Sequence, residues 1–243
     1  MRAKETSMII SLNKRYVFVH IHKCAGTSIE VALAKSLKHN DIVLGSTKSG
    51  EKYQEFFKRS IGLNKHSTAL EARGFLGEAM YAKFFKFAFV RHPIDRLHSL
   101  YSYALKLAHD AELTDDERRN FDANGQWPDR PPFRYKAVAA ALESKSFSDF
   151  ALHPLTWADA GAQPQWQSVC NAQGELIVDF VGKVESIEQD FTQICEKLEV
   201  TVPLEVRNSS HEKKSSHELS SLALSTVQDR FARDFSLFGY SAE

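Results

Sequence analysis

Two short stretches of this chain set cationic and hydroxyl side chains beside a glycine or a proline, the combination that an anion site requires. The first is Lys23-Cys24-Ala25-Gly26-Thr27-Ser28. Lys23 supplies a mobile full charge, Thr27 and Ser28 supply hydroxyl donors, and Gly26 lets the backbone approach an anion closely. If the run opens a helix, its first N–H groups have no internal partners and the helix dipole adds partial positive charge. Such a turn suits a phosphate or a sulfate. An ordinary tight turn with a capping Thr27 and a solvated Lys23 accounts for the same six residues. The Walker A pattern is absent, because the lysine precedes the glycine here.

The second stretch is Phe89-Val90-Arg91-His92-Pro93, followed by Arg96 and Ser99. An arginine at a strand end can fork onto a phosphate with two parallel N–H bonds. Ser99 stands about two helical turns further on, so the geometry of a helix brings it back toward the same side. The competing reading makes Arg91 and Arg96 surface ion-pair partners of Asp95, with Ser99 merely tolerated. Two anion-friendly turns in one chain suit a ligand with two separated phosphates.

These residues need a scaffold, and the apolar pattern supplies one. Tyr16-Val17-Phe18-Val19-His20-Ile21 reads as a buried strand, and Ile29, Leu33 and Leu37 then recur at helical spacing from a start near Thr27. Phe84 to Val90 reads as a second strand. Leu97, Leu100, Tyr101, Ala104, Leu105 and Ala108 mark the helix after it, with Pro93 in its first turn. Leu176 to Val184 reads as a third strand, and Ser186-Ile187-Glu188-Gln189 as a capping box for a helix carrying Phe191, Ile194 and Leu198. A last helix carries Leu224, Val227, Phe231 and Phe235 and stops at Phe238-Gly239-Tyr240. Strands alternating with helices predict an α/β fold, a mostly parallel sheet flanked by helices, organised as one domain over residues 1–243. In such sheets ligands bind at the carboxyl ends of the strands, where both turns fall. Residues 110–135 depart from the pattern. This polar stretch with Asn124-Gly125, Trp127-Pro128 and Pro131-Pro132 reads as a long variable excursion that could serve as a lid on the acceptor side.

Lys+Arg and Asp+Glu both number 31, so a general nucleic-acid binder, which would be basic overall, is not expected. Any anion site must be local. Cys24, Cys170 and Cys195 are odd in number and widely spaced, the usage of reduced thiols in a cytoplasmic setting. Met8-Ile9-Ile10 is too brief for a signal peptide or a membrane span, which predicts a soluble protein. No metal is expected, since neither H-E-x-x-H, paired cysteines nor an acidic cluster of ligand spacing occurs.

The two turns resemble motifs of the carbohydrate-type sulfotransferases, the group that includes the heparan sulfate 2-O-sulfotransferases and the chondroitin and dermatan sulfotransferases. There a strand followed by H-I-P-K-T-[AG]-G-[ST]-[ST] forms a 5'-phosphosulfate loop. Here the run is His20-Ile21-His22-Lys23-Cys24-Ala25-Gly26-Thr27-Ser28. A later F-V-R-[DHN]-P-x-x-R-x-x-S-x-Y forms the 3'-phosphate site, matched here from Phe89 to Tyr101. The likeness continues through Pro164-Gln165, the segment from Gly174 to Glu185, and Phe238-Gly239-Tyr240. It departs at His22, where a proline is usual, at Cys24, where threonine is usual, and at Lys183, where arginine is common.

The resemblance implies a P-loop-like three-layer fold and a donor co-substrate, 3'-phosphoadenosine 5'-phosphosulfate, needing no metal. It implies nucleotide contacts from Lys23, Cys24, Ala25, Gly26, Thr27, Ser28, Arg91 and Ser99, with Lys183 and Ser210 added. The transferred sulfuryl group goes to a hydroxyl acceptor, a saccharide or another small molecule. In-line displacement needs charge on the leaving group, for which Lys23 is placed, and a base for the hydroxyl proton. His66 matches the family's acceptor-side base, and an unperturbed imidazole titrates near working pH; His20, packed under the nucleotide, is the other candidate. His92 suits a phosphate-side contact, and Glu30 a solvated helix position. Trp127, Arg118, Arg119, Arg130 and Arg134 could meet a sugar or an anionic acceptor, or simply form a solvated surface; Gln165 and Trp166 could line the acceptor side. Two rival functions share these residues. A P-loop phosphoryl transferase would use Asp179 as a Walker B acid holding Mg²⁺. A non-catalytic nucleotide-binding protein would use the same pocket without turnover.

Overall fold

The computed structural model describes residues 8–45, 56–205 and 219–241. Five strands matter for the site: β1 (Met8–Ser11), β2 (Tyr16–Val19), β3 (Ile42–Leu44), β4 (Phe85–Val90) and β5 (Phe180–Lys183). The helices used below are α1 (Gly26–Leu33), α2 (Ala69–Leu76), α3 (Pro93–Ala111), α4 (Asp115–Asn124), α5 (Lys136–Glu143), α6 (Phe147–Leu152), α7 (Ile187–Leu198), α8 (Ser221–Arg230) and α9 (Ala232–Phe238). Chain contacts group them into two compact units, residues 1–92 with 164–212, and residues 93–163 with 213–243.

The first unit holds the sheet, in the order β3-β1-β2-β4-β5. β2, β4 and β5 run parallel, while β1 is antiparallel to both β2 and β3, so four of the five strands point the same way. Every residue of β1 and β2, and all but the first of β4, is buried. Successive side chains of a strand point to opposite faces, so both faces of this sheet are covered, as a mostly parallel α/β sheet demands. Phe18 and Phe87 stack at 5.3 Å across the β2–β4 pair, and Tyr16 meets Phe87 at 5.8 Å. Each such buried ring contributes about 1.5–3 kcal/mol by leaving water.

β1 and β3 add an edge that the apolar pattern did not reveal. They have four and three residues, too short to show a period. Asp41 pins that edge: its carboxylate accepts from Ser11 Oγ at 3.0 Å and from the backbone N–H of Lys38 at 2.8 Å and Asn13 at 3.2 Å. The third expected strand is narrower than Leu176 to Val184, because only Phe180–Lys183 pairs with β4 and Leu176 makes a single bridge to Cys170. The expected capping box at Ser186 is replaced. Ser186 is the N-cap of α7 without a side-chain cap bond, and its hydroxyl donates to Asp190 at 2.8 Å, which also accepts the Lys183 N–H at 2.7 Å. One carboxylate thus ties the end of β5 to the first turn of α7.

In the second unit α3 buries Leu97, Leu100, Ala104 and Ala108 on one stripe, with α5, α6, α8 and α9 contributing to the same apolar cluster. Arg96 is no surface ion-pair partner. It is buried, donates to the carbonyls of Gly161 and Gln163 at 2.8 Å each, and lies 5.0 Å from the centre of the Phe231 ring. The expected excursion at 110–135 contains α4, opened by a capping box in which Thr114 and Glu117 exchange bonds and closed by a left-handed Gly125. Trp127 stacks on Phe121 at 3.9 Å and donates to Glu143 at 3.1 Å, and Arg130 pairs with Glu117 at 2.6 Å. Local capping and ring contacts, rather than length of loop, organise this segment. The chain turns off at Gly239, whose left-handed backbone lets the Tyr240 N–H reach the Phe235 carbonyl at 2.9 Å.

Candidate functional site: three parallel strand ends

In the first unit the carboxyl ends of β2, β4 and β5 lie side by side, in register through Val19–Ala88 and Val90–Lys183. One cation belongs to each end: Lys23 in the loop after β2, Arg91 directly after β4, and Lys183 as the last residue of β5. The sequence separations between them are long, yet strand order makes them neighbours.

The loop after β2 is bent by two left-handed residues, Lys23 (φ 65°) and Ala25 (φ 57°). Left-handed residues among right-handed ones turn successive N–H groups toward one concavity, which is how backbone nests hold anions. Ala25 is the N-cap of α1 and supplies no side-chain acceptor, so the capping role weighed for Thr27 is not used. The helix opens one residue earlier than expected, at Gly26, with Thr27 and Ser28 partly exposed in its first turn. An uncapped helix start beside a nest and a lysine has the chemistry to receive an oxyanion.

Gly26 has a second reason to lack a side chain. A Cβ there would lie 1.8 Å from Cε1 of His20, whose ring is 2% exposed. The close approach that the glycine permits is therefore, first, that of an imidazole packed under the loop. Glu30, expected in solvent, is fully buried one turn further along α1.

Cys24 does not face the anion concavity with its side chain. Its thiol donates to Gln165 Oε1 at 3.2 Å and lies 3.4 Å from the His22 carbonyl. Gln165 is fully buried and also takes both backbone groups of Arg91: the Arg91 N–H donates to Oε1 at 2.9 Å, and Nε2 donates to the Arg91 carbonyl at 2.9 Å. Gln165, expected on the acceptor side, thus engages the loop through Cys24 and the end of β4 through Arg91. The next residue, His92, has its N–H held by Glu185 at 2.7 Å. Burial, and next the positive charge of Arg91, press the Lys23 ammonium down to about 8. Two cations that repel one another this way are a site in want of negative charge.

His66 sits in the turn before α2. The Asn64 side chain accepts its N–H at 2.8 Å, Ser67 Oγ accepts the Asn64 N–H at 3.0 Å, and Thr68 caps α2 in a box with Glu71. This turn delivers the imidazole onto His22, with ring centres 3.4 Å apart and planes 19° from parallel, and edge-on to His20 at 5.8 Å. His66 thus meets His20 and His22, more than forty residues earlier in the chain, beside the lysine loop. Burial, then His22, His20 and Lys65, hold His66 well below the usual imidazole range. The ring is neutral at working pH and able to accept a proton, but it is a weaker base than an unperturbed histidine.

Asp179 is turned to another task than a Walker B acid. It precedes β5, at the end of the sheet opposite Lys183, where it pairs with Lys86 Nζ at 2.9 Å and accepts the Lys86 N–H at 2.8 Å. Ser99 belongs to α3 in the second unit, and Ser210 lies outside the described residues. An open groove of about 590 Å³ along α7, between Phe191, Cys195 and the stretch from Val200 to Leu204, is lined by none of Lys23, Arg91 or His66. The three cysteines form no disulfide, and no helix among the described residues is long and apolar enough to cross a membrane.

A family profile described as the sulfotransferase family matches residues 6–241, nearly the whole chain and both compact units. The chain belongs to the sulfotransferase family. A crystal structure of a sulfotransferase from Alicyclobacillus acidocaldarius is similar over 93% of this chain and 96% of that one, at 16% identity and a TM-score of 0.36, a likeness too loose to transfer any residue role. No curated protein sequence matches this chain.

Proposed function

We propose that this sulfotransferase moves a sulfuryl group from 3'-phosphoadenosine 5'-phosphosulfate to a hydroxyl of a carbohydrate-like or other small acceptor. The observation that carries this reading is the convergence of Lys23, Arg91 and Lys183 on adjacent carboxyl ends of β2, β4 and β5, beside an uncapped helix start. The 5' end of the donor belongs to the loop from Lys23 to Ser28. The 3'-phosphate belongs to Arg91, with Ser99 and Ser210 retained on the strength of the motif alone and Lys183 as a further cation. When bound, the donor supplies an electrophilic sulfur and a stable phosphate leaving group.

The chain's own residues account for the rest. Lys23 and the N–H groups of the loop stabilise charge that grows on the leaving oxygen, where preorganised donors are most effective. His66 takes the proton of the acceptor hydroxyl. Burial is the main cause that holds His66 low, with His22, His20 and Lys65 adding to it, and negative charge brought to the neighbouring loop shifts its basicity upward by offsetting the smaller, coulombic part. His20, packed against Gly26, orders the loop rather than serving as the base.

The test is an acceptor screen with labelled donor, run beside Lys23→Ala and His66→Ala. Both variants should lose turnover, His66→Ala by about 10²–10⁴-fold, the usual contribution of a general base. His66→Ala should still bind adenosine 3',5'-bisphosphate. Wild-type rates in His66→Ala refute the assignment of the base, and absence of bisphosphate binding by the wild type refutes the nucleotide site.

A further inference from the structure

Arg91 is the first residue beyond β4, where the strand ladder no longer satisfies its backbone. Arg91 is partly buried, and an N–H and C=O turned inward at such a point must find partners. Both go to one side chain, Gln165, at 2.9 Å each, and the same Oε1 that accepts the Arg91 N–H also accepts the Cys24 thiol at 3.2 Å. A single oxygen therefore links the backbone of Arg91 with the residue next to Lys23. The fit is specific to an amide. A carboxylate would lack the donor for the Arg91 carbonyl and would add negative charge beside two cations, whereas an apolar side chain would leave buried groups unsatisfied.

We propose that Gln165 is a positioning residue: its buried amide clasps the Lys23 loop to Arg91, fixing the separation between the 5' and 3' anion grips, with Cys24 as the loop's half of the clasp. This rests on the nucleotide reading given above. The consequence is coupling. With the clasp intact, one geometry of Lys23 and Arg91 is present before ligand arrives, and binding does not have to order it. Without it, each grip remains chemically whole but their spacing is no longer held.

The test uses Gln165→Met, Cys24→Ala, Cys24→Ser and the Gln165→Met/Cys24→Ala double variant, each checked for folding by circular dichroism. Two readouts are taken: affinity for adenosine 3',5'-bisphosphate by calorimetry, and amide exchange at residues 22–28 and Arg91 in the ligand-free protein. Gln165→Met should bind about tenfold more weakly, the loss expected from one or two buried hydrogen bonds. Cys24→Ser, which keeps a donor toward Gln165, should bind more tightly than Cys24→Ala. The double variant should bind no more weakly than Gln165→Met, because both changes break one linkage. Exchange at 22–28 and at Arg91 should quicken in Gln165→Met. If Gln165→Met binds as the wild type does, or the two penalties simply multiply, the clasp is refuted, and a bare drop in melting temperature with unchanged affinity refutes it equally. Should Gln165→Met not fold, Cys24→Ala, which leaves the Arg91 contacts intact, decides alone: weaker binding with faster loop exchange supports the clasp, and wild-type values refute it. If the wild type binds no bisphosphate, the nucleotide reading fails by itself. The clasp then stands or falls on whether exchange at 22–28 quickens.

Discussion

Gly26→Ala sets two physical effects against each other at the centre of the site. Alanine is the better helix former by up to about 1 kcal/mol, and less than that in a first turn. Against it stands a Cβ that would lie 1.8, 2.1 and 2.4 Å from three atoms of the His20 ring. Carbon atoms rest in contact at about 3.5–4.0 Å, so the ring must retreat by roughly 1.7–2.2 Å. It has nowhere to go: His20 is 2% exposed, with Phe18 at 5.9 Å and His66 at 5.8 Å between ring centres. Overpacking of this kind costs about 1–3 kcal/mol, which outweighs the propensity gain. For a chain of this length each kcal/mol moves the melting temperature by about 2–4 °C, so the overpacking alone should lower the melting temperature of Gly26→Ala by about 2–12 °C by circular dichroism, the propensity gain trimming this slightly. Bisphosphate affinity should fall with it, because a displaced His20 disturbs the loop above. The decisive control is the same substitution in a His20→Ala background. With the ring gone, the added methyl group should be neutral or slightly stabilising there. Gly26→Ala melting at or above the wild-type temperature, or an equal penalty in both backgrounds, would refute the argument that the imidazole is what excludes a side chain.

Lys23 makes the site pH-dependent. Its ammonium is pushed down to about 8, so affinity for the bisphosphate should decline as pH rises from 8 to 9.5, a range in which the ligand's own phosphates are already ionised; a flat calorimetric profile there contradicts it. In the ligand-free protein the sign is opposite. Between about 8 and the ordinary 10.5 the unfolded chain holds more protons than the folded one, so the Lys23 contribution to stability rises with pH through that window, and urea unfolding of Lys23→Met should show a shallower rise. Trp127→Ala should lower the melting temperature, since it removes the stack on Phe121 and the bond to Glu143, and should leave the KM for acceptor unchanged; a raised KM with normal melting would return Trp127 to the acceptor side. Asp179→Ala should destabilise the fold by freeing Lys86 while sulfuryl transfer persists in chelator, whereas loss of a magnesium-dependent phosphoryl transfer would restore the kinase alternative.

Both strand-to-helix turns and the α/β class were legible in the sequence because their causes are local. A β-branched and aromatic run, a glycine or proline, and a helical stripe each act within a few residues, and so Lys23 to Ser28 and Arg91 to Pro93 could be placed at strand ends without coordinates. The left-handed backbones of Lys23 and Ala25 carried no such signal, since neither residue type favours that region. Nor did α4, whose capping box between Thr114 and Glu117 lies in plain view inside a stretch read as a loop because it is so polar.

What the tertiary structure alone decided are the partnerships across long separations. Strand order made Lys23, Arg91 and Lys183 neighbours, burial drew His22 and His66 into a stack, and a fully buried Gln165 joined Cys24 to Arg91. Residue types announce what a group is able to do wherever it lies, so chemistry is readable from the chain. Which groups stand close enough to alter each other's charge, and which backbone atoms a side chain must satisfy, depends on distances that exist only once the sheet has formed.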